Sequence, residues 1–108
     1  ILLDGAELVV VAFGSTARIS LDAVHSARAE GLRVGMIRPI TLWPFPRKAF
    51  ERIRHGVKAF LDVEMNAGQM QEDLERMVGP DFLVHHLGQG GGKIIYPDEV
   101  YDEIKKLI

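Results

Sequence analysis

The sequence predicts an α/β fold: a three-layer α/β/α sandwich around a mainly parallel sheet. Three observations carry that expectation. Short apolar runs alternate with helical patterns along the chain, which is the order of successive βαβ units. The first run, Leu8 to Phe13, is continuously apolar rather than alternating, as a strand covered on both faces must be. Right-handed crossovers between parallel strands then place helices on both sides of the sheet.

Each element has its own signal. After Leu8 to Phe13, Gly14-Ser15-Thr16 turns the chain into a helix whose apolar face is Ala17, Leu21, Val24 and Ala27, with Gly31 as its stop. Leu32 to Arg38 is the second strand. Arg38-Pro39-Ile40-Thr41-Leu42-Trp43-Pro44-Phe45-Pro46 is too proline-rich for regular structure, and Pro46 suits the first turn of a short helix buried through Ala49, Phe50 and Ile53 and ended by Gly56. Val57 to Val63 is the third strand. From Gln69 onwards Met70, Leu74, Met77 and Val78 recur at helical spacing, closed by Gly79-Pro80. Phe82 to Leu87 is the fourth strand and Gly88-Gln89-Gly90-Gly91-Gly92 a turn. A last helix starts near Pro97, with Asp98 and Glu99 in its first turn and Lys105 and Lys106 in its last, the charge order that complements a helix dipole. Its expected core stripe is Val100, Ile104, Leu107 and Ile108.

Composition bounds the function. A chain of 108 residues, 47% hydrophobic and 26% charged, is expected to be a single domain over 1–108 that buries roughly 65% of its unfolded surface. A formal charge of −2 argues against nucleic acid as a partner. No run of 18 apolar residues appears, so no membrane span is expected, and Asp4-Gly5 directly after Ile1-Leu2-Leu3 does not read as a signal peptide. The chain has 0 cysteines, which excludes disulfides, cysteine-ligated iron–sulfur clusters and thiolate zinc sites within it, and fits a cytoplasmic protein. Because it starts at Ile, it is expected to be a piece of a longer subunit.

In a parallel sheet the loops after the strands share one edge, where open α/β folds gather their binding groups. The candidates there are Gly14, Ser15, Arg38, Trp43, Phe45, Glu64, Asn66 and Gln69. Glu64, Asn66 and Gln69 either face a partner or ligand or cap the following helix and close a tight turn, and Asn is a favoured cap. Ser15 lacks the G-x-S-x-G setting of a nucleophile and reads more simply as a cap. Arg38 could grip a carboxylate or phosphate, or pair with Glu64 across neighbouring strand ends. Trp43 and Phe45, in a proline-locked loop, plug the edge of the core or anchor another domain. Gly88 to Gly92 is glycine-rich but lacks P-loop spacing, and Gly14 does not begin a G-x-G-x-x-G fingerprint. His25 sits on a polar helix face and His55 near a helix C-terminus. His85 and His86 are adjacent in a strand, so they cannot share one metal. Asp62 stands just inside a strand end, without the further acidic residues a phosphoacceptor would want. No catalytic residue and no metal ligand is expected.

Ala6 to Ser15, Arg38-Pro39-Ile40-Thr41-Leu42-Trp43-Pro44-Phe45-Pro46 and Val63-Glu64-Met65-Asn66-Ala67-Gly68-Gln69-Met70 together resemble the C-terminal, transketolase C-terminal-like domain of the α subunit of 2-oxoacid:ferredoxin oxidoreductases. Arg38-Pro39-Ile40-Thr41 is most similar to the 2-ketoisovalerate members; 2-oxoglutarate and pyruvate members remain open. The resemblance implies a parent enzyme that uses thiamine diphosphate, Mg, iron–sulfur clusters, CoA and ferredoxin to convert a 2-oxoacid to an acyl-CoA. The family's cluster ligands are cysteines, and its diphosphate motif is Gly-Asp-Gly followed by Asn; this chain has neither. It implies an assembly domain, binding no cofactor itself, packed on the pyrimidine-binding domain of its own subunit, with a thiamine-binding β subunit and ferredoxin-like subunits as further partners. The alternatives are the same domain of a transketolase or branched-chain dehydrogenase, or a stand-alone nucleotide- or phosphate-binding module.

Overall fold

The computed structural model describes residues 5–14, 16–38, 56–64, 69–88 and 95–108. In order these form β1 (Leu8–Ala12), α1 (Thr16–Ala29), β2 (Val34–Ile37), β3 (Ala59–Val63), α2 (Gln69–Val78), β4 (Leu83–Leu87) and α3 (Pro97–Leu107). The short helix expected around Ala49, Phe50 and Ile53 lies outside the described residues. The four strands are parallel and ordered β2-β1-β3-β4. β1 is paired on both sides, Leu8 to Val34 on one and Leu8 to Ala59 on the other. All five of its residues are buried, so the continuous apolar run is explained by its place at the centre.

Alternate side chains of the strands feed two cores. Leu8, Val10, Ala12, Leu61 and Val63 pack with Ala17, Val24 and Ala27 of α1 and with Val100 and Ile104 of α3. Val9, Val11, Phe13 and Phe60 pack on the opposite face with Leu74 and Val78 of α2. Burying a side chain such as Leu74 contributes about 1.5–3 kcal/mol. Phe60 and Phe82 meet edge to face, with ring centroids 5.5 Å apart. The result is helix, sheet and helix in three layers.

Helix ends follow their local chemistry. Gly31 takes φ 87°, and the amides of Gly31 and Leu32 bond back to the carbonyls of Arg28 and Ala27, a glycine-terminated cap. Pro97 opens α3, where the Glu99 carboxylate accepts the Tyr96 amide at 3.3 Å. Ile108 departs from expectation. It is 45% exposed rather than part of the core stripe, because α3 ends at Leu107 and the following residue leaves the buried face. No helix of the described residues is long and apolar enough to cross a membrane.

One polar residue ties the sheet together at its carboxyl edge. The hydroxyl of Thr16, only 1% exposed, lies 2.8 Å from the Phe13 carbonyl and 2.9 Å from the Val63 carbonyl, and donates between them. It links the start of α1 to the ends of β1 and β3. Replacing Thr16 by Val keeps the volume and removes the donor, and is expected to lower unfolding free energy by about 1 kcal/mol, with Thr16→Ser closer to wild type. Urea denaturation followed by circular dichroism measures both variants.

Candidate functional site

A parallel sheet puts the carboxyl ends of its strands on one edge. Gly14 follows β1, Arg38 follows β2, Glu64 follows β3 and Gly88 follows β4. Gly14 takes φ 64°, a conformation that favours glycine, as the chain turns from β1 into α1. Strand order reverses between β1 and β3, the position where folds of this kind open a ligand crevice. Here the Thr16 hydroxyl bridges the Phe13 and Val63 carbonyls at those two strand ends.

Glu64 is buried and turned towards α2. The Met70 amide donates to its Oε1 at 3.2 Å and to its Oε2 at 3.1 Å, and the Gln71 amide donates to Oε2 at 3.2 Å. These are first-turn amides without intrahelical partners, and a carboxylate there also meets the positive end of the helix dipole. The N-terminus of α2, a position that commonly attracts external anions, is filled by the chain's own Glu64.

Beside Glu64 lies a second carboxyl. Asp62 is fully buried on β3, and β3–β4 pairing sets it opposite His86. His86 Nδ1 is 2.7 Å from Asp62 Oδ2 and 3.7 Å from Glu64 Oε2, and Nε2 is 3.1 Å from the Gly88 carbonyl. A carbonyl only accepts, so Nε2 carries a hydrogen and donates to it. Desolvation by burial, and then the neighbouring Glu64 carboxylate, push the Asp62 carboxyl up to about 9. The Asp62 carboxyl therefore holds its proton well above the ordinary carboxylate range, beside His86 Nδ1 and the Glu64 carboxylate. His85 pairs in register with Leu61, on the face opposite His86. A separate groove of about 330 Å³ between α1 and α3, lined by Asp22, Glu30, Asp98 and Tyr101 among others, shares no residue with this edge.

The fold and this edge can be set against known proteins. The family described as "Pyruvate:ferredoxin oxidoreductase core domain II" matches residues 6–100. The chain belongs to that family. It is 42% identical over 106 residues to ketoisovalerate oxidoreductase subunit VorB of Methanothermobacter thermautotrophicus, covering 98% of this chain and 30% of that subunit. It is 37% identical over 101 residues to 2-oxoglutarate synthase subunit KorA of Methanothermobacter marburgensis, covering 94% of this chain and 27% of that subunit. The chain thus spans less than a third of the length of these curated relatives. A 2-oxoglutarate:ferredoxin oxidoreductase from Magnetococcus marinus, solved with 2-oxoglutarate, coenzyme A and succinyl-CoA bound, superposes with TM-score 0.79 at 24% identity, over 94% of this chain and 18% of that one. A split-gene transketolase, an inactive β4 tetramer, superposes with TM-score 0.76 at 17% identity, over 94% of this chain and 38% of that one. Both show the fold, a core domain II built on the transketolase C-terminal plan.

Within this core domain II, the structure brings Gly14, Arg38 and Glu64 to one edge. Arg38 and Glu64 do not form the pair expected of neighbouring strand ends, because β1 lies between β2 and β3. Arg38 is exposed, and Glu64 faces α2 and His86 instead. Ser15, Trp43, Phe45 and Asn66 lie outside the described residues; Gln69 is described as the first residue of α2, without its side chain. Sequence reasoning placed Thr16 in a turn and weighed Asp62 and His86 without assigning either a role. Asp62 and Glu64, two residues apart at the end of an apolar strand, share a face, and that was the available signal. His86 becomes their neighbour only through strand register.

Glu64→Ala leaves the first-turn amides without their acceptor and is expected to cost about 1–2 kcal/mol in unfolding free energy, Glu64→Gln less. For Asp62 the sign follows from its raised value. The unfolded carboxyl ionises near 3.8 while the folded one holds its proton to about 9, so its contribution to stability is full below that lower value and is lost as pH rises towards the upper. Melting curves in chelator-treated buffer from pH 4 to 9 are expected to show wild type losing stability relative to Asp62→Asn. Parallel pH profiles would show that Asp62 is ionised throughout.

Proposed function

We propose that this chain is core domain II of the α subunit of a 2-oxoacid:ferredoxin oxidoreductase of the 2-ketoisovalerate kind, and that it serves assembly rather than turnover. The 42% identity across 98% of the chain to a ketoisovalerate oxidoreductase subunit carries this reading. In the parent enzyme a 2-oxoacid is oxidatively decarboxylated to an acyl-CoA and electrons pass to ferredoxin. Thiamine diphosphate supplies the carbanion chemistry and iron–sulfur clusters carry the electrons, both held by other domains or subunits. Among the described residues none is assigned to those groups. The chain has 0 cysteines for a cluster, and the amides at the N-terminus of α2 that would suit a diphosphate already bond to Glu64. No chemical step is assigned to it.

The same closed edge supports a positioning role. Thr16 and Glu64 bond within the fold; Gly14, Ser15, Arg38, Trp43, Phe45, Asn66 and Gln69 are the residues we assign to contacts with the pyrimidine-binding domain and the β subunit. The domain is one unit of a longer cytoplasmic subunit. Ferredoxin-like subunits complete the assembly.

The test is substrate choice by the full-length subunit combined with its partner subunits. With CoA and ferredoxin, kcat/KM for 2-ketoisovalerate is expected to exceed that for 2-oxoglutarate or pyruvate by at least about tenfold, about 1.4 kcal/mol in transition-state binding. A preference for 2-oxoglutarate would reassign the substrate to that of the KorA relatives. Consumption of ketoacid by this chain alone would overturn the assembly role.

A further inference from the structure

Asp62, Glu64 and His86 have an arrangement that capping and strand pairing do not account for. One donor atom from each lies within 4.8 Å of the other two. Asp62 and Glu64 are 0% and 1% exposed, and the carboxyl of Asp62 points into the cluster, with Oδ2 on His86 Nδ1. Its other oxygen, Oδ1, is buried without a hydrogen-bond partner among the described residues. A buried oxygen without a partner costs free energy, which a ligand bound there would recover.

We propose that Asp62, Glu64 and His86 Nδ1 form a three-ligand site for one divalent cation of the zinc class, distinct from any metal that serves the parent reaction. The donors suit it: imidazole nitrogen and carboxylate oxygens bind zinc at about 2.0–2.2 Å, which sets neighbouring donors about 3–3.5 Å apart. The separations of 2.7 Å and 3.7 Å from Nδ1 bracket that spacing, and the donor atoms of the three residues all lie within 4.8 Å of one another. Two carboxylates and a neutral imidazole balance a charge of +2, leaving no net charge buried at the strand ends. The outer shell is in place as well. His86 donates through Nε2 to the Gly88 carbonyl, which holds the ring with Nδ1 inward, and the Met70 and Gln71 amides fix the Glu64 carboxylate. Three protein ligands leave a fourth position for water or for a group from a neighbouring loop. Magnesium and calcium, which favour all-oxygen shells of six or more, fit this donor set poorly.

The site would pin the ends of β3 and β4 and the start of α2 at the edge assigned above to assembly, yet it rests on side-chain geometry alone and stands or falls separately from the choice of substrate. The experiment titrates Zn²⁺, and Mg²⁺ in parallel, into the chelator-stripped full-length subunit, reading calorimetric heat and the shift in melting temperature. Three variants accompany wild type: Asp62→Asn, His86→Gln, and His85→Gln on the opposite face of the sheet. Expected are about one Zn²⁺ per chain, a raised Tm, the same behaviour in His85→Gln, and affinity at least about tenfold weaker in Asp62→Asn and His86→Gln. Circular dichroism establishes that each variant is folded. Should a variant not fold, tetrahedral Co²⁺ absorption bands in wild type, displaced by Zn²⁺, give the second readout. No heat and no Tm shift with Zn²⁺ in wild type, undiminished binding in His86→Gln, or a response to Mg²⁺ in place of Zn²⁺ would each overturn the proposal.

Discussion

Parallel pairing on both sides of β1 is the constraint from which the rest of this structure follows. A strand bonded to two parallel neighbours can be reached only through crossovers, and the crossovers carry the helices. Both faces of β1 are therefore covered, and each of its residues is buried. Leu8, Val10 and Ala12 enter the core beneath α1 and α3; Val9 and Val11 enter the core beneath α2. A charged or strongly polar residue anywhere in that strand would face a cost of several kcal/mol without a partner within reach.

The same parallelism collects the ends of all four strands on one edge. Folds of this plan usually leave the crevice at the strand-order reversal open to a ligand, and the helix N-termini beside it free to hold an anion. Among the described residues, side chains of the chain itself bond at both positions. The Thr16 hydroxyl spans the ends of β1 and β3, and the Glu64 carboxylate covers the first turn of α2.

Charge at this edge is arranged with equal economy. Two carboxyls lie side by side in a buried setting, which forbids both from being ionised without a counter-charge. Glu64 receives amide donors and the helix dipole; Asp62 meets His86 Nδ1 through Oδ2, and its Oδ1 has no hydrogen-bond partner among the described residues. That asymmetry separates the two groups. Burial first, and then Glu64 beside it, raise the Asp62 carboxyl.

Local sequence determined most of the scaffold. Leu8 to Phe13 could only be a covered strand, Gly31 and Gly79-Pro80 stop helices by backbone chemistry, and the spacing of Met70, Leu74, Met77 and Val78 sets the buried face of α2; these are properties of neighbours along the chain. Ends were less legible: β2 is Val34–Ile37 rather than Leu32 to Arg38, because ladder pairing with β1 decides where the strand stops. Only tertiary structure decided the edge. Strand order placed β1 between Arg38 and Glu64 and so separated a pair that sequence reasoning had considered joining. Strand register brought Asp62 against His86 from 24 residues away. Periodicity and stop signals act over one or two turns, whereas order and register emerge from packing two cores at once, and no local pattern encodes them.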